Sequence, residues 1–267
     1  MIDGKKVGVG IVTCNREPFL DKLIGSLGWR SDIDTFVVIN DGDILSIDRD
    51  YILNNPTNLG VAKSKNKAMQ YLLDRECDHI FIIEDDMLIK RKDIFEAYIN
   101  ASKISGIDHM MFGYHGPANK NNISKGKPVP RLIVDYGDFK IALNRHCVGA
   151  FCYYSRESLE TCGLIDEEFK NAFDHVSHSY TLSQESFSTP YWWWTDLANS
   201  TDYIEEQACS EESSSIKTPE KMKEWSENIN NSMKLFETKF GVAPFGPNGV
   251  HDTSEQDVLE FIKLLKP

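Results

Sequence analysis

Three acidic residues, Glu84, Asp85 and Asp86, interrupt an apolar run in the segment FIIEDDMLI at residues 81–89. A buried carboxylate is costly unless a partner compensates its charge, so acids directly after IFII predict a partner there. Mg²⁺ and Mn²⁺ suit this position, because one or two carboxylates commonly hold them while water and substrate phosphates complete the coordination. The alternative is a cluster of acids at a helix start, where the helix dipole favours negative charge.

A run of aromatic residues, TPYWWWTDLANS at residues 189–200, is a second chemical feature. Aromatic faces stack on the apolar faces of sugar rings, so Trp192, Trp193 and Trp194 are candidates for a platform under a sugar acceptor. The alternative is core packing against the C-terminal helices, since tryptophan brings a large apolar area. Successive side chains alternate in an extended segment, so we expect one or two to be buried and one to line a cleft. Asp196 is a further candidate for binding a sugar hydroxyl.

The first third of the chain contains the elements that would position the acids. Apolar runs at residues 6–12, 36–40 and 80–83 predict strands, and the segments 17–27 and 61–77 have apolar residues at helical spacing. This alternation implies right-handed crossovers and a parallel sheet. The strands are followed by polar segments that contain Asn15, Asp41 and Glu84. Ligands bind beyond the carboxyl ends of such strands, so these segments are expected to share one crevice.

The remaining chain predicts a mixture of elements. A helix is expected at about 93–105, a polar loop at 119–130, strands at 132–134 and 147–155, and a short helix that ends at Gly163. Thr218-Pro219 and Ser254 are typical helix starts before two apolar stripes. We expect both helices to pack on the α/β body. The predicted organisation is therefore a domain at 1–190 and a C-terminal helical extension at 191–267.

Composition narrows the classes of function. The chain has 267 residues and a formal net charge of -12, which argues against nonspecific binding to nucleic acid or to an anionic membrane. No segment approaches about 18 uninterrupted apolar residues, so no transmembrane helix is predicted. The six cysteines include no CxxC pair, which disfavours a zinc site. Reduced thiols in the cytoplasm are the expectation.

The segment after the first strand, TCNREP, contains neither the GxGxxG nor the GxxxxGKS/T pattern, which disfavours Rossmann dehydrogenases and P-loop ATPases. The chain instead resembles the family 2 glycosyltransferases of the GT-A fold over about residues 5–180. The matching segments are VGVGIVTCNR, VVINDGD, NLGVA at 58–62 with Asn66, the acids EDD at the position of the family's DxD-type motif, and VGAFCYYSRESLETCGLIDEEF.

This resemblance implies a GT-A fold, with a mostly parallel central sheet flanked by helices, and a nucleotide-sugar donor, with a UDP-sugar favoured. Asp86 would bind the Mn²⁺ or Mg²⁺ that bridges the diphosphate and helps it to leave. The expected donor-binding residues are Thr13, Asn15, Arg16, Asp41, Lys63, Asn66, Glu84 and Asp85. For Lys63 the alternative is a solvated basic helix face.

The family closes its catalytic region with an acidic pair, whereas here Asp174 is followed by His175. The resemblance implies that Asp174 is the general base that deprotonates the acceptor hydroxyl in an inverting transfer. Asp166 and Glu167 are alternatives for this role. His178 is the expected further metal ligand, and His175 shares its face if the segment is helical. The alternative for both histidines is an ordinary hydrogen-bonded role.

The expected activity is therefore metal-dependent, hexosyltransferase-like transfer of a sugar to a hydroxyl of a glycan or another acceptor. One rival is a nucleotidyltransferase that makes a nucleotide-sugar, but TCNREP lacks the glycine-rich GxGxR loop of that class. A second rival is a carbohydrate-binding protein with a degenerate transferase fold. It stays open because the second acid after Asp174 is missing.

Overall fold

A computed structural model describes residues 1–28, 32–46, 49–121, 126–207, 221–244 and 253–265. The strands are β1 (Val7–Thr13), β2 (Thr35–Asn40), β3 (Ile52–Asn54), β4 (His79–Glu84), β5 (Met87–Ile89), β6 (His109–Met111), β7 (Leu132–Asp135), β8 (Lys140–Asn144), β9 (Phe151–Ser155), β10 (Trp194–Leu197) and β11 (Ile204–Glu206). The helices are α1 (Glu17–Leu27), α2 (Val61–Leu73), α3 (Ile94–Ser105), α4 (Arg156–Cys162), α5 (Asp174–Gln184), α6 (Met222–Phe240) and α7 (Glu255–Leu265).

The central sheet has the strand order β3-β2-β1-β4-β9-β6. Strands β3, β2, β1 and β4 are parallel, and β9 runs antiparallel to both β4 and β6. The register pairs Thr13 with Asn40 and Val12 with Glu84, so the polar segments after three strands begin at one edge. The predicted mostly parallel α/β sheet is confirmed. All seven residues of β1 are buried, as expected for a strand covered on both faces.

Two glycines in β1 let α2 pack closely on the sheet. A Cβ atom at Gly8 would come within 2.8 Å of Cys77 Sγ, and a Cβ atom at Gly10 within 2.8 Å of Ala68 Cβ. Both distances are shorter than real Cβ contacts, so any larger residue would force the helix away from the strand. The alternation VGVG in the first strand therefore sets the spacing between β1 and the helix that follows β3.

Two apolar clusters cover the two faces of the sheet. Phe81 and Ile83 point into one cluster with helix α3, whereas Ile80 and Ile82 point into the other with α2. This is the two-residue alternation of a strand. The second cluster includes Phe236 of α6, while Val258 and Ile262 of α7 belong to the first. Both C-terminal helices therefore pack on the α/β body.

The segment after residue 190 contains strands as well as helices. β10 pairs with β8, and β11 pairs with β5, in two small antiparallel sheets. β10 and β11 have only four and three residues, too few for a periodic pattern to reveal them. The Ser254 helix start is confirmed by its bonds with Asp257, whereas Thr218-Pro219 lies outside the described residues. Within the described ranges, no helix is long and apolar enough to cross a membrane.

Candidate active site

Asp41 follows β2 and is held by the chain segment that leads into α2. Its Oδ1 accepts bonds from Asn55 Nδ2 and from the backbone N–H of Leu59, each at 2.7 Å. Its Oδ2 accepts a bond of 2.8 Å from the N–H of Gly60, the residue before α2. The side chain of Asp41 thus fixes the β3–α2 connection at the carboxyl edge of the sheet. Nearby, Asn15 accepts a bond of 2.6 Å from the Asp43 N–H, which joins the segments after β1 and β2.

Arg16 bridges the second and third acids of the EDD run. Its guanidinium forms a close ion pair with Asp85 Oδ1 and lies 3.1 Å from Asp86 Oδ2. Thr13 donates a bond of 2.6 Å to the other oxygen of Asp85, whose side chain is fully buried. Burial raises the pKa of Asp85 to about 7, although Arg16 and Thr13 oppose this effect. Both oxygens of Asp85 therefore have partners within the chain.

Asp86 has a different environment, because its Oδ1 lies 3.5 Å from His115 Nε2. Burial alone would raise the pKa of Asp86, but His115 and Arg16 outweigh it and hold that pKa at about 2. The same contact raises the pKa of His115 in spite of its burial. The backbone N–H of Gln207 donates to Asp86 O over 2.6 Å, and its side-chain amide donates to Asp85 O. Gln207 thus fixes the turn that carries both acids.

Glu84 belongs to a second cluster, which is centred on Lys65 of α2. The Lys65 ammonium lies 2.7 Å from Glu84 Oε1, 3.3 Å from Asp174 Oδ2 and 3.1 Å from Gly149 O. Its side chain is 2% exposed, so all three of its N–H donors need such acceptors. Burial opposes its charge, but Glu84 and Asp174 raise the pKa of Lys65 well above its ordinary value. The three consecutive acids are therefore divided between two ion-pair clusters.

Asp174 begins α5 and is buried beside this lysine. Burial by itself raises the pKa of Asp174, but Lys65 and His175 outweigh burial and hold that pKa well below its usual range. His175 Nδ1 lies 3.4 Å from Asp174 Oδ1, and its side chain is 25% exposed, against 6% for Asp174. The predicted base is thus a paired carboxylate, and the adjacent imidazole is the more accessible of the two groups.

The other predicted residues lie elsewhere. His178 is 3% exposed, and its Nε2 lies 2.9 Å from Gly163 O. Asn66 exchanges bonds with the backbone of Ile165, which ties α2 to the segment after α4. Lys63 lies 46% exposed on α2, 3.9 Å from Glu167 Oε2. The structure therefore brings His115, rather than His178, beside Asp86.

The tryptophan run is mostly buried. Trp193 and Trp194 are 3% and 1% exposed, and Trp192 is half-buried at a positive φ of 70°. Trp193 donates to Thr253 O over 3.0 Å, and the Arg131 guanidinium lies 3.6 Å from the centroid of its ring. Asp196 is also fully buried, where it accepts bonds from the Tyr98 hydroxyl and the Gly113 N–H. Only Trp192 stays available as a platform for an acceptor.

His115 and Gln207 were not found from the sequence. His115 follows β6, a strand of three residues that the sequence pattern does not reveal. In the register, Cys152 of β9 pairs with Ile82 of β4 and with Met111 of β6, so β4 and β6 end near the same level on either side of β9. The available signal was the polar segment YHGP after the apolar run MMF. It has the same arrangement as the acids after IFII.

The donor atoms of Asp86 and His115 fit a hard cation that is also bound by substrate or water. Asp86 Oδ1 and His115 Nε2 are a carboxylate oxygen and an imidazole nitrogen, two donor types that can ligate Mn²⁺, and Arg16 holds the opposite oxygen of Asp86. Among the described residues, no group of three or more His, Cys, Asp or Glu side chains could hold a metal ion. A site of one carboxylate and one imidazole leaves its other positions to water and substrate phosphates, as Mg²⁺ sites commonly do.

No protein-family profile and no curated protein sequence matches this chain. Solved structures do match its fold. S. aureus TarS 1-349 in complex with UDP-GlcNAc aligns with a TM-score of 0.55 at 16% identity, covering 97% of this chain and 71% of that chain. GalNAc-T7 with UDP, GalNAc and Mn²⁺ aligns with a TM-score of 0.60 at 11% identity, covering 99% of this chain.

The chain spans 55% of the GalNAc-T7 chain that it matches. At these identities the likeness concerns the backbone arrangement, and both matched proteins have the GT-A fold of glycosyltransferases. The sheet order, the polar carboxyl edge and these matches lead to one conclusion. This chain has the GT-A fold.

Proposed function

We propose that this chain is a metal-dependent glycosyltransferase that moves a sugar from a nucleotide-diphosphate sugar to a hydroxyl of a glycan or another acceptor. The observation that carries the proposal is the position of Asp86 and His115, side by side at the carboxyl edge of a GT-A sheet. Ligands of open α/β sheets bind beyond this edge. A UDP-sugar is the favoured donor, because both matched structures contain a uridine nucleotide.

Asp86 and His115 would hold Mn²⁺ or Mg²⁺ between the protein and the diphosphate. When bound, such a cation neutralises the charge that develops on the leaving nucleoside diphosphate. Arg16 and Asp85 contribute by holding Asp86, because Arg16 contacts both carboxylates. We assign the histidine ligand to His115 rather than to His178, whose Nε2 lies 2.9 Å from Gly163 O.

The nucleoside end of the donor would lie near the segments after β1 and β2. Asn15 joins these segments through its bond to the Asp43 N–H, and Asp41 fixes the neighbouring β3–α2 connection. Thr13, at the end of β1, donates to Asp85. Their proposed contribution is the shape of the base and ribose site. Asn66 supports this site from α2 through its bonds to Ile165. Lys63 is exposed on α2, from where it would reach only the outer part of the diphosphate.

The acceptor would enter beside Asp174 and His175, with Trp192 as a candidate contact for its sugar ring. The two residues supply the base for the acceptor hydroxyl, and direct attack opposite the leaving diphosphate would invert the anomeric centre.

The proposed location is the cytoplasm. Free thiols support it, at Cys14, Cys77, Cys147, Cys152 and Cys162.

The test is a thermal-shift screen of the intact chain with UDP, GDP and CMP, each with and without Mn²⁺. A panel of nucleotide-sugars follows, with nucleotide release as the readout. We expect UDP to stabilise the fold only when Mn²⁺ is present, and at least one UDP-sugar to be turned over. If no nucleotide gave Mn²⁺-dependent stabilisation, the transferase proposal would fail. Binding of a nucleotide without turnover of any donor would favour a degenerate, carbohydrate-binding protein.

A further inference from the structure

Both carboxylate oxygens of Asp174 already lie beside nitrogen atoms of the chain. Its Oδ2 lies 3.3 Å from the Lys65 ammonium, and its Oδ1 lies 3.4 Å from His175 Nδ1. The lysine cannot move away easily, because its remaining donors are bonded to Glu84 and to Gly149 O inside the protein. An acceptor could reach the carboxylate only by breaking an ion pair that is almost completely buried.

His175 is the exposed member of this cluster. Its side chain is 25% exposed, about four times the exposed fraction of Asp174, which is 6%. The ring lies directly over Gly149, where an added Cβ would come within 2.5 Å of His175 Cγ and 2.8 Å of its Nδ1. The neighbouring Ala150 O accepts a bond of 2.7 Å from the Glu84 N–H. The imidazole therefore lies against the end of β4 from which the acids project.

The order of contacts sets the roles of the two ring nitrogens. Nδ1 faces a carboxylate, so the tautomer that fits this contact has its proton on Nδ1 and its lone pair on Nε2. A carboxylate behind an imidazole orients the ring and stabilises the imidazolium that forms when Nε2 takes a proton. Asp174 is in turn held by Lys65. The chain thus contains an ordered series of lysine, carboxylate and imidazole that ends at the accessible side chain.

We propose that His175 Nε2 is the general base of the transfer and that Asp174 is a positioning residue that acts through it. This inference rests on the proposed function and names the atom that takes the acceptor proton. The acceptor O–H gives its proton to Nε2, and its oxygen lone pair forms the new bond to the anomeric carbon. The bond from that carbon to the diphosphate breaks, and the nucleoside diphosphate leaves with the electron pair. The imidazolium then releases its proton to water.

The test compares His175→Gln and Asp174→Asn with wild type, on a donor found in the nucleotide-release screen. His146→Gln is the matched control, because His146 is an exposed histidine at the start of the β8–β9 connection. We expect His175→Gln to lower kcat by about 10²- to 10⁴-fold, the usual contribution of a general base. KM for the donor and Mn²⁺-dependent binding of UDP should stay at wild-type values, and His146→Gln should behave as wild type.

Two further readouts separate a base from a structural side chain. The pH profile of kcat/KM should change in His175→Gln, since the proposed base is gone. Asp174 lies beside the imidazole, Lys65 holds Asp174, and Cys147 Sγ lies near the backbone carbonyl of His175, so these three groups must keep their charge state across the profile. In His175→Ala, added imidazole should restore part of the lost turnover. Such rescue does not occur if the residue only supports the fold.

Two results would overturn the inference in different ways. Wild-type kcat in His175→Gln, together with loss of turnover in Asp174→Asn, would make Asp174 the base and leave the proposed function intact. Loss of turnover in His175→Ala without any rescue by imidazole, and with an unchanged pH profile in His175→Gln, would reduce His175 to a structural role. Failure of the wild-type protein to release nucleotide from any sugar donor would instead remove the proposed function itself.

Discussion

Arg16 Nη1 lies 3.1 Å from Asp86 Oδ2, so the acid proposed to bind a metal ion is already paired with a cationic side chain of the protein. The other guanidinium nitrogen contacts Asp85, which is fully buried. Arg16 therefore compensates two adjacent carboxylates at once, and without it Thr13 and His115 would be left to oppose their repulsion and desolvation. This explains how the fold tolerates Asp85 and Asp86 before any ligand binds.

Replacing Arg16 by methionine should destabilise the protein and increase its dependence on metal. Breaking a largely buried ion pair by removing one partner costs about 3–5 kcal/mol. We expect a lower Tm for Arg16→Met than for wild type, and a larger rise in Tm when Mn²⁺ is added. Arg49→Met is the control, because Arg49 is exposed. An unchanged Tm in Arg16→Met would contradict the bridging role.

Removing the proposed metal ligands should affect nucleotide binding more than folding. In Asp86→Ala and His115→Gln we expect Mn²⁺-dependent stabilisation by UDP to be lost, because both groups flank the proposed cation position. Asp138→Ala, in the exposed turn between β7 and β8, should retain it. Calorimetric titration of UDP with Mn²⁺ checks the result. Wild-type affinity in Asp86→Ala would exclude Asp86 as a ligand.

Lys65 and Lys63 lie on the same helix but should respond differently to replacement by methionine. Lys65 is 2% exposed between Glu84 and Asp174, so Lys65→Met removes the ammonium that compensates the buried Asp174 carboxylate and should cost about 3–5 kcal/mol. Lys63 is 46% exposed and 3.9 Å from Glu167, so its loss should cost at most about 1 kcal/mol. Urea unfolding measures both free energies. Equal effects would show that the buried network contributes little.

The buried imidazole of His109 should make the protein less stable in acid. His109 Nδ1 contacts Tyr153 O and Nε2 contacts Ser179 Oγ, at 2.9 and 2.8 Å, and burial lowers the pKa of His109 to about 3. The unfolded chain, with an ordinary histidine pKa of about 6.5, then binds more protons between these two values. The contribution of the buried, neutral His109 to stability is therefore complete above about pH 6.5. It is lost as the pH falls, by up to about 1.4 kcal/mol per pH unit.

Urea unfolding between pH 7 and pH 4 measures this dependence. His109→Gln should be less stable at pH 7 but should lose less stability on acidification than wild type does. His146→Gln should keep more of the wild-type slope than His109→Gln does. Burial also lowers the pKa of His146, but its side chain is exposed, whereas that of His109 is completely buried. A wild-type slope in His109→Gln would assign the acid sensitivity to other groups.

Two glycine substitutions should change the stability of the protein in opposite directions. In Gly10→Ala the new methyl group would lie 2.8 Å from Ala68 Cβ and 3.1 Å from Ile82 Cδ1, and such overpacking typically costs about 1–3 kcal/mol. Gly25 lies within α1 with nothing within 4 Å of an added Cβ, so Gly25→Ala should stabilise by about 0.5–1 kcal/mol. Thermal unfolding checks both. A neutral Gly10→Ala would show that α2 can move away from β1.

The parallel half of the fold was predictable, because apolar residues are regularly spaced in its long strands and amphipathic helices. The acids at the end of β4 were found for the same reason: polar residues after IFII break that period. His115 was missed because β6 has three residues, too few to show alternation. Lys65 was missed because it stands in the basic run KSKNK, where a buried lysine looks the same as an exposed one.

The pairing of the acids was also beyond the sequence. Residue types predict that Glu84, Asp85 and Asp86 need partners, but a partner on the same chain and a bound cation satisfy that need equally well. The choice depends on where Arg16 and Lys65 lie in three dimensions. Contacts between residues separated by 69 positions, as in Arg16 and Asp85, leave no mark in a single sequence.

The division of the EDD run has a mechanical consequence. Glu84 belongs to the group of side chains that includes His175, while Asp86 belongs to the group that includes His115. Under the proposed chemistry, one group accepts the proton and the other binds the diphosphate. Only the two peptide units between Glu84 and Asp86 join them, and bond lengths and planar peptides limit how far these units can extend. Under that chemistry, this short stretch of backbone limits how far the two parts of the site can move apart. An insertion or deletion within it would change their separation even if every side chain were retained.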